Sequence, residues 1–218
     1  MSGGVYDILD NLTAYRGLGR EYGQKQIHDV PEGVVVKSRR EWIVERCAGK
    51  VVLDVGHASG PLHQQIIAVA KQTFGLDREA TGPQEVAMDL DKVNGCDRLP
   101  FPEELGIELV VCGEVLEHLA NPGWFLERLG RTLPDAEVLV SVPNAFSAGG
   151  RRWLASNQEN VNRDHVCWYS WFTITALLKR YGYHVLEWAW YNGKPMTAEG
   201  IVLRCVKKDA CTQKEPTE

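Results

Sequence analysis

The sequence lacks a Cys-x-x-Cys pair, a basic leader ahead of an apolar run, any apolar window of membrane-spanning length, and an excess of positive charge. Each absence removes a class. Without paired spacing, Cys47, Cys96, Cys112, Cys167, Cys205 and Cys211 read as free thiols, most of them inside apolar stretches, rather than as a zinc site or a disulfide framework. Without a leader or a span of about 20 apolar residues, the reading is a cytoplasmic protein with no membrane insertion. A net charge of −5 over 218 residues argues against a general electrostatic grip on nucleic acid, and Arg39-Arg40, Arg151-Arg152 and Lys207-Lys208 read as solvated surface. The Gly-x-Gly-x-x-Gly spacing of a dinucleotide-binding turn is also missing, as are internal repeats and any second-domain signal. The length suits one domain, and nothing sets its oligomeric state.

What is present centres on Val51-Val52-Leu53-Asp54-Val55-Gly56-His57-Ala58-Ser59-Gly60-Pro61. Three β-preferring apolar residues lead into an acid, two glycines bracket a turn, and Pro61 is pre-set for the first turn of a helix, so the segment reads strand, loop, helix. Gly56 permits positive φ and close approach of a ligand, Gly60 permits tight helix–strand packing, and the helix start offers unpaired N–H groups. Upstream, Ser38 caps an amphipathic helix to Cys47 with Trp42, Ile43 and Cys47 inward and Arg39, Arg40, Glu41 and Glu45 outward. Downstream, Leu62, Ile66, Ile67, Val69 and Ala70 form a core-facing stripe. Thr73 to Asp77, Val86 to Leu90, Ile107 to Cys112 and Ala136 to Val142 follow as strands, with no room for a full helix between the first two of these. A helix from Tyr169 to Tyr181 and strands Tyr183 to Trp190 and Ile201 to Val206 close the pattern. Residues 146–168 form a long connection of the kind that walls a pocket.

Asp-x-Gly-x-x-x-Gly after an apolar strand resembles motif I of the class I S-adenosylmethionine-dependent methyltransferases. About fifty residues on, the strand ending in Cys112 runs into Gly113-Glu114-Val115-Leu116-Glu117-His118-Leu119, which resembles motif IV in the subgroup containing ubiquinone-type O-methyltransferases. The resemblance spans roughly residues 38–206. It implies a Rossmann-like α/β three-layer sandwich with a mostly parallel seven-stranded sheet, the last strand antiparallel. Residues 1–37 would form a cap or lid, 38–208 the methyltransferase domain and 209–218 a flexible tail.

The resemblance also implies a site. S-adenosylmethionine would lie along Asp54, Gly56, His57, Ala58 and Gly60, with Asp77 accepting both ribose hydroxyls, Asp89 at the adenine amino group, Leu90 on the ring, and Cys112, Gly113 and Glu114 completing the wall. Asp97, before Leu99-Pro100-Phe101, is the rival of Asp89. His57-Ala58 departs from the family's commoner Cys-Gly. The acceptor is expected to be a small molecule methylated at a hydroxyl oxygen, with His118 or His165 as base, since imidazole is neutral and accepting near pH 7. Trp153, Trp168, Tyr169 and Tyr15 are candidates for an apolar acceptor pocket. Glu114, Glu117, His118 and His165 also resemble the divalent-metal set of small-RNA 2′-O-methyltransferases, which makes metal-assisted RNA methylation an alternative. A non-catalytic cofactor-binding or scaffold role on the same fold is another.

Overall fold

The structure, a computed structural model, describes residues 27, 29–80, 82–92 and 98–208. Among these residues eight strands form one sheet: β1 (Val34–Val36), β2 (Val51–Val55), β3 (Gln72–Asp77), β4 (Glu85–Ala87), β5 (Leu109–Gly113), β6 (Glu137–Pro143), β7 (Tyr183–Tyr191) and β8 (Gly200–Lys207), in the order β1-β7-β8-β6-β5-β2-β3-β4. The last strand, β8, runs antiparallel to both its neighbours, and every other pairing is parallel. The sheet therefore has one strand more than the seven expected. The extra one is β1, three valines of the segment assigned to the cap, added parallel to the edge of β7.

Among the described residues five helices cover the sheet: α1 (Arg39–Cys47), α2 (Pro61–Val69), α3 (Pro122–Thr132), α4 (Ala148–Leu154) and α5 (Trp171–Arg180). Central strands buried on both faces read as continuous apolar runs, and alternate residues serve opposite layers. Leu53, Val55, Val110 and Cys112 pack beneath Phe125, Leu126 and Leu129 of α3 and Ile174 and Leu178 of α5. Val52, Leu109 and Val111 pack beneath Trp42, Ile43 and Cys47 of α1 and Ile66 of α2. Each such buried side chain stabilises the fold by about 1.5–3 kcal/mol. The three-layer sandwich is thus as expected, as are the Ser38 cap, which accepts from Glu41 N–H at 3.2 Å, and the buried thiols of Cys47, Cys112 and Cys205. Burial raises the Cys47 thiol to about 12, so it is inert at neutral pH.

Local readings need correction. In α2 the buried residues are His63 and Ile66, while Ile67 and Val69 face solvent, because α2 covers the sheet margin and sees core along a narrow stripe only. Arg39 turns inward instead of facing outward, as described below. Gly60 has open space around it: a Cβ there would make only ordinary contact, so tight packing is not its reason. The 146–168 connection contains α4, capped by Ser147. Cys96, Cys211, Tyr15, Asp97 and the 209–218 tail lie outside the described residues. Among the described residues, no helix is long and apolar enough to cross a membrane.

The topology fixes where a ligand fits. From β2 the chain moves outward through β3 to β4, then returns to β5 on the other side of β2 and continues to β6. The loops after β2 and β5 consequently diverge, leaving a crevice beyond the carboxyl ends of the strands.

Candidate functional site

The crevice holds a cavity of about 660 Å³ lined by the loop after β2, the ends of β3 and β4, and the turn after β5. Its lining includes Gly56, Ala58, Asp77, Asp89, Leu90, Glu114 and His118, seven of the residues singled out in the sequence. Gly56 has φ +66, and a Cβ on it would stand 2.7 Å from Val115 Cγ2, so glycine is needed both for the backbone and for the space. Asp77 ends β3 and accepts Ala58 N–H at 2.8 Å on Oδ2 and Glu79 N–H at 3.2 Å on Oδ1. A carboxylate has about four lone-pair sites, so both oxygens keep acceptor capacity toward the cavity. Asp89 lies beyond the end of β4, where its hydrogen bond with Lys92 holds its carboxyl below the usual range.

Other predicted cofactor residues lie behind this surface. Asp54 is buried and receives His63 Nδ1 at 2.9 Å, so it braces the strand from beneath. The His57 side chain is fully buried, Cys112 is sealed in the core, and Gly60 and Gly113 are absent from the lining. Ser59, within the Asp54 to Gly60 stretch expected along the cofactor, lines the cavity, and Leu76, Arg78, Met88 and Asp91 line it without having been foreseen. Met88 and Asp91 flank Asp89 and Leu90, so loop proximity alone was the available signal.

Glu114 follows β5 with φ +60 and is firmly held: its Oε1 pairs with Arg39 at 2.8 Å and accepts Ser141 Oγ at 2.9 Å and Tyr191 OH at 3.1 Å. This ties α1, β6 and β7 to the floor of the site, and it sets Glu114 apart from Glu117. Glu117 lies in the 3-10 turn Leu116–His118, is 1% exposed, and neither carboxyl oxygen has a hydrogen-bond partner. Burial, reinforced by nearby Glu114, pushes its pKa up to about 8.

His118 and His165 meet, although 47 residues separate them. Their rings are edge to face with centroids 4.6 Å apart, and donor atoms of Glu117, His118 and His165 all lie within 4.8 Å of one another. The approach is built by the backbone: Val166 N–H donates to Glu117 O at 2.8 Å, which pins the 146–168 connection onto the turn after β5. Burial and the His118 ring hold His165 below the ordinary imidazole value. Of the aromatic candidates, Tyr169 is buried and donates to Leu116 O, whereas Trp153 and Trp168 are substantially exposed.

A second cluster was not foreseen. His57 stacks on His63 with centroids 4.3 Å apart, and Glu85 of β4 faces both rings, 3.9 Å from His57 Nε2 and 3.6 Å from His63 Nε2.

A family model described as a methyltransferase domain matches residues 38–187. A probable S-adenosylmethionine-dependent methyltransferase of Mycolicibacterium smegmatis is 29% identical over 150 residues, which is 66% of this chain and 55% of that protein. The chain spans about half the length of the curated relatives it matches. Among solved structures, the small RNA methyltransferase HEN1 superposes with a TM-score of 0.61 at 15% identity, over 86% of this chain and 27% of that one. Burkholderia thailandensis 1,6-didemethyltoxoflavin-N1-methyltransferase, solved with bound 1,6-didemethyltoxoflavin and S-adenosylhomocysteine, gives a TM-score of 0.53 at 13% identity over 93% of this chain and 88% of that one. At these identities the likeness is one of fold.

Proposed function

The chain belongs to the methyltransferase-domain family, and on that premise we propose that it transfers a methyl group from S-adenosylmethionine to a hydroxyl oxygen of a small molecule. One observation carries the reading: the cavity at the sheet's crevice is lined by the Gly56 loop, Asp77, Asp89 and His118 together, and His165 stands against His118 beyond that lining, so the candidate cofactor cradle adjoins both candidate bases. When bound, the cofactor supplies an electrophilic methyl on a sulfonium, which needs positioning more than activation. The chain's residues fit that group. Gly56 allows close approach of the loop, the spare acceptor capacity of Asp77 suits a pair of ribose hydroxyls, and Leu90 offers an apolar contact for a base.

The acceptor end is served by the histidine pair. His165, held below its usual value, is neutral at pH 7 and accepts a proton from a hydroxyl, while the edge of His118 keeps the ring oriented. A divalent cation is the second reading, favoured by the unpartnered Glu117 carboxyl beside two imidazoles. Glu117, His118 and His165 would hold it, Glu114 being engaged by Arg39, and the ion would lower the pKa of a bound hydroxyl. That arrangement suits an RNA 2′-hydroxyl, against which the charge of −5 counts.

Calorimetric titration with S-adenosylmethionine and S-adenosylhomocysteine, with and without Mg²⁺ and beside Asp77→Ala, tests the reading. Binding by the wild type that the variant loses at least tenfold is expected. Absence of binding to either compound would overturn the enzyme reading in favour of a scaffold.

A further inference from the structure

The loop that presents backbone to the cavity is strained. Ala58 and Ser59 have φ +46 and +48, a left-handed conformation that side-chain-bearing residues adopt only when their surroundings impose it. His57 supplies the surroundings. Its Nδ1 accepts Ser59 N–H at 3.0 Å, its carbonyl accepts Gly60 N–H at 2.9 Å, and the next amide, Ala58 N–H, is thereby aimed at Asp77 Oδ2, 2.8 Å away. The ring cannot drift. Its side chain is fully buried, it stacks on His63, and His63 is clamped by Asp54 at 2.9 Å with Glu85 at 3.6 Å on its other nitrogen. Glu85 is itself fixed by Gly82 N–H at 2.8 Å. Gly75 opens the slot: a Cβ there would stand 2.8 Å from His57 Nε2 and from Glu85 Cγ.

The hydrogen bond also sets the tautomer. A nitrogen that accepts from an N–H carries no proton, so a neutral His57 keeps its proton on Nε2, the buried nitrogen that has no hydrogen-bond partner and faces Glu85. An imidazole that coordinates a metal through Nε2 keeps its proton on Nδ1 and would lose the Ser59 bond. Coordination through Nε2 would thus compete with the bond that holds the loop, and the geometry as it stands is that of a brace.

We propose that His57 is the positioning residue of the cofactor loop: it accepts Ser59 N–H from a buried slot floored by His63 and Glu85, and so holds Ala58 and Asp77 in the orientation that receives a ribose. The side chain does for this loop what glycine flexibility does elsewhere, and it acts through the loop without touching the ligand. The inference rests on the cofactor reading above.

The test is calorimetric titration of the full chain with S-adenosylhomocysteine. His57→Leu, which keeps bulk and loses the acceptor, should bind about tenfold more weakly, the weight of one buried hydrogen bond. His57→Asn, whose side-chain oxygen reaches the same i+2 amide, should stay within about threefold of wild type. In an Ala58→Gly/Ser59→Gly background, where the backbone needs no support, His57→Leu should also cost less than about threefold. Equal losses in the Leu and Asn variants, or an undiminished loss in the glycine background, would overturn the assignment. Should the Leu variant not fold, ¹⁵N NMR of the wild-type histidines decides: the Nε2–H tautomer is expected at His57, and Nδ1–H would overturn it. Tight wild-type binding with an unaffected Leu variant sinks this inference alone, whereas no wild-type binding sinks the cofactor reading with it.

Discussion

A carboxyl group whose two oxygens are both buried and unpartnered, as in Glu117, keeps its proton to higher pH than a solvated one. The consequence for stability has a definite sign. With its pKa near 8 in the fold and near the ordinary 4.5 when unfolded, Glu117 binds a proton in the native state alone across that interval, so stability falls as pH rises through it. Glu117→Gln removes the ionisable group and should flatten the fall, gaining about 1–3 kcal/mol over wild type at pH 8 and little at pH 5. Urea denaturation at the two pH values measures this, and an equal effect at both would refute the burial argument. His165 gives a prediction on turnover. If it is the base, His165→Ala should lower kcat by about 10²–10⁴-fold while leaving the dissociation constant for S-adenosylhomocysteine within about twofold, because the ring does not line the cofactor cavity. Weakened cofactor binding with unchanged kcat would give the residue a structural role instead. Both histidines, and their grouping with Glu117, were legible through the resemblance, but the contact that brings them together, the Val166 to Glu117 backbone bond, was not.

At the scale of elements, the strand–loop–helix unit β2 to α2 was legible almost residue by residue, because the short apolar run, Gly56 and Pro61 are local signals. Its orientation was not. The apolar periodicity of α2 points Ile67 and Val69 inward, whereas the structure buries His63, whose partners Asp54 and Glu85 come from β2 and β4, and no pattern within nine residues encodes them. Arg39 misled in the same way: a charged residue at a helix start reads as solvated until Glu114 arrives beneath it from 75 residues away. Within the unit, Gly56 is the sharpest test. Gly56→Ala would place a left-handed Cβ 2.7 Å from Val115 Cγ2 and should destabilise the protein by about 2–3 kcal/mol, lowering Tm by several degrees. Thermal melts by circular dichroism check it, and a variant as stable as wild type would mean that the turn relaxes at no cost.

At the scale of the whole molecule, the parallel sheet and its antiparallel last strand were legible in the order of elements, while β1 was not, since three valines next to a glycine read equally as a linker. What the order of elements does not reveal is how β8 is fastened between strands running the other way. A chain of charges crosses the sheet there: Arg46 of α1 pairs with Glu187 of β7, Arg204 of β8 reaches Glu187 at 3.1 Å and Glu137 of β6 at 2.7 Å, and Lys50 closes on Glu137 at 2.9 Å. Alternating signs let each carboxylate serve two cations, so ordering one side chain serves two pairs. Burial alone would raise Glu137, but Lys50 and Arg204 outweigh it and hold its carboxyl below the ordinary range; Glu187 is held down chiefly by Arg46. A folded value below the unfolded one means that the contribution is complete above the unfolded pKa, near 4.5, and is lost as pH falls through the folded value. Glu137→Gln should therefore cost about 1 kcal/mol at pH 7 in low salt, less in 1 M salt, and progressively less as pH falls from 7 through the folded value, where wild type surrenders the same charge. Urea midpoints of the two proteins, taken across that range, should converge on acidification. If their separation stays constant even after pH has fallen through the folded value, the fastening of β8 comes from packing of Leu203 and Cys205 and not from the charge ladder.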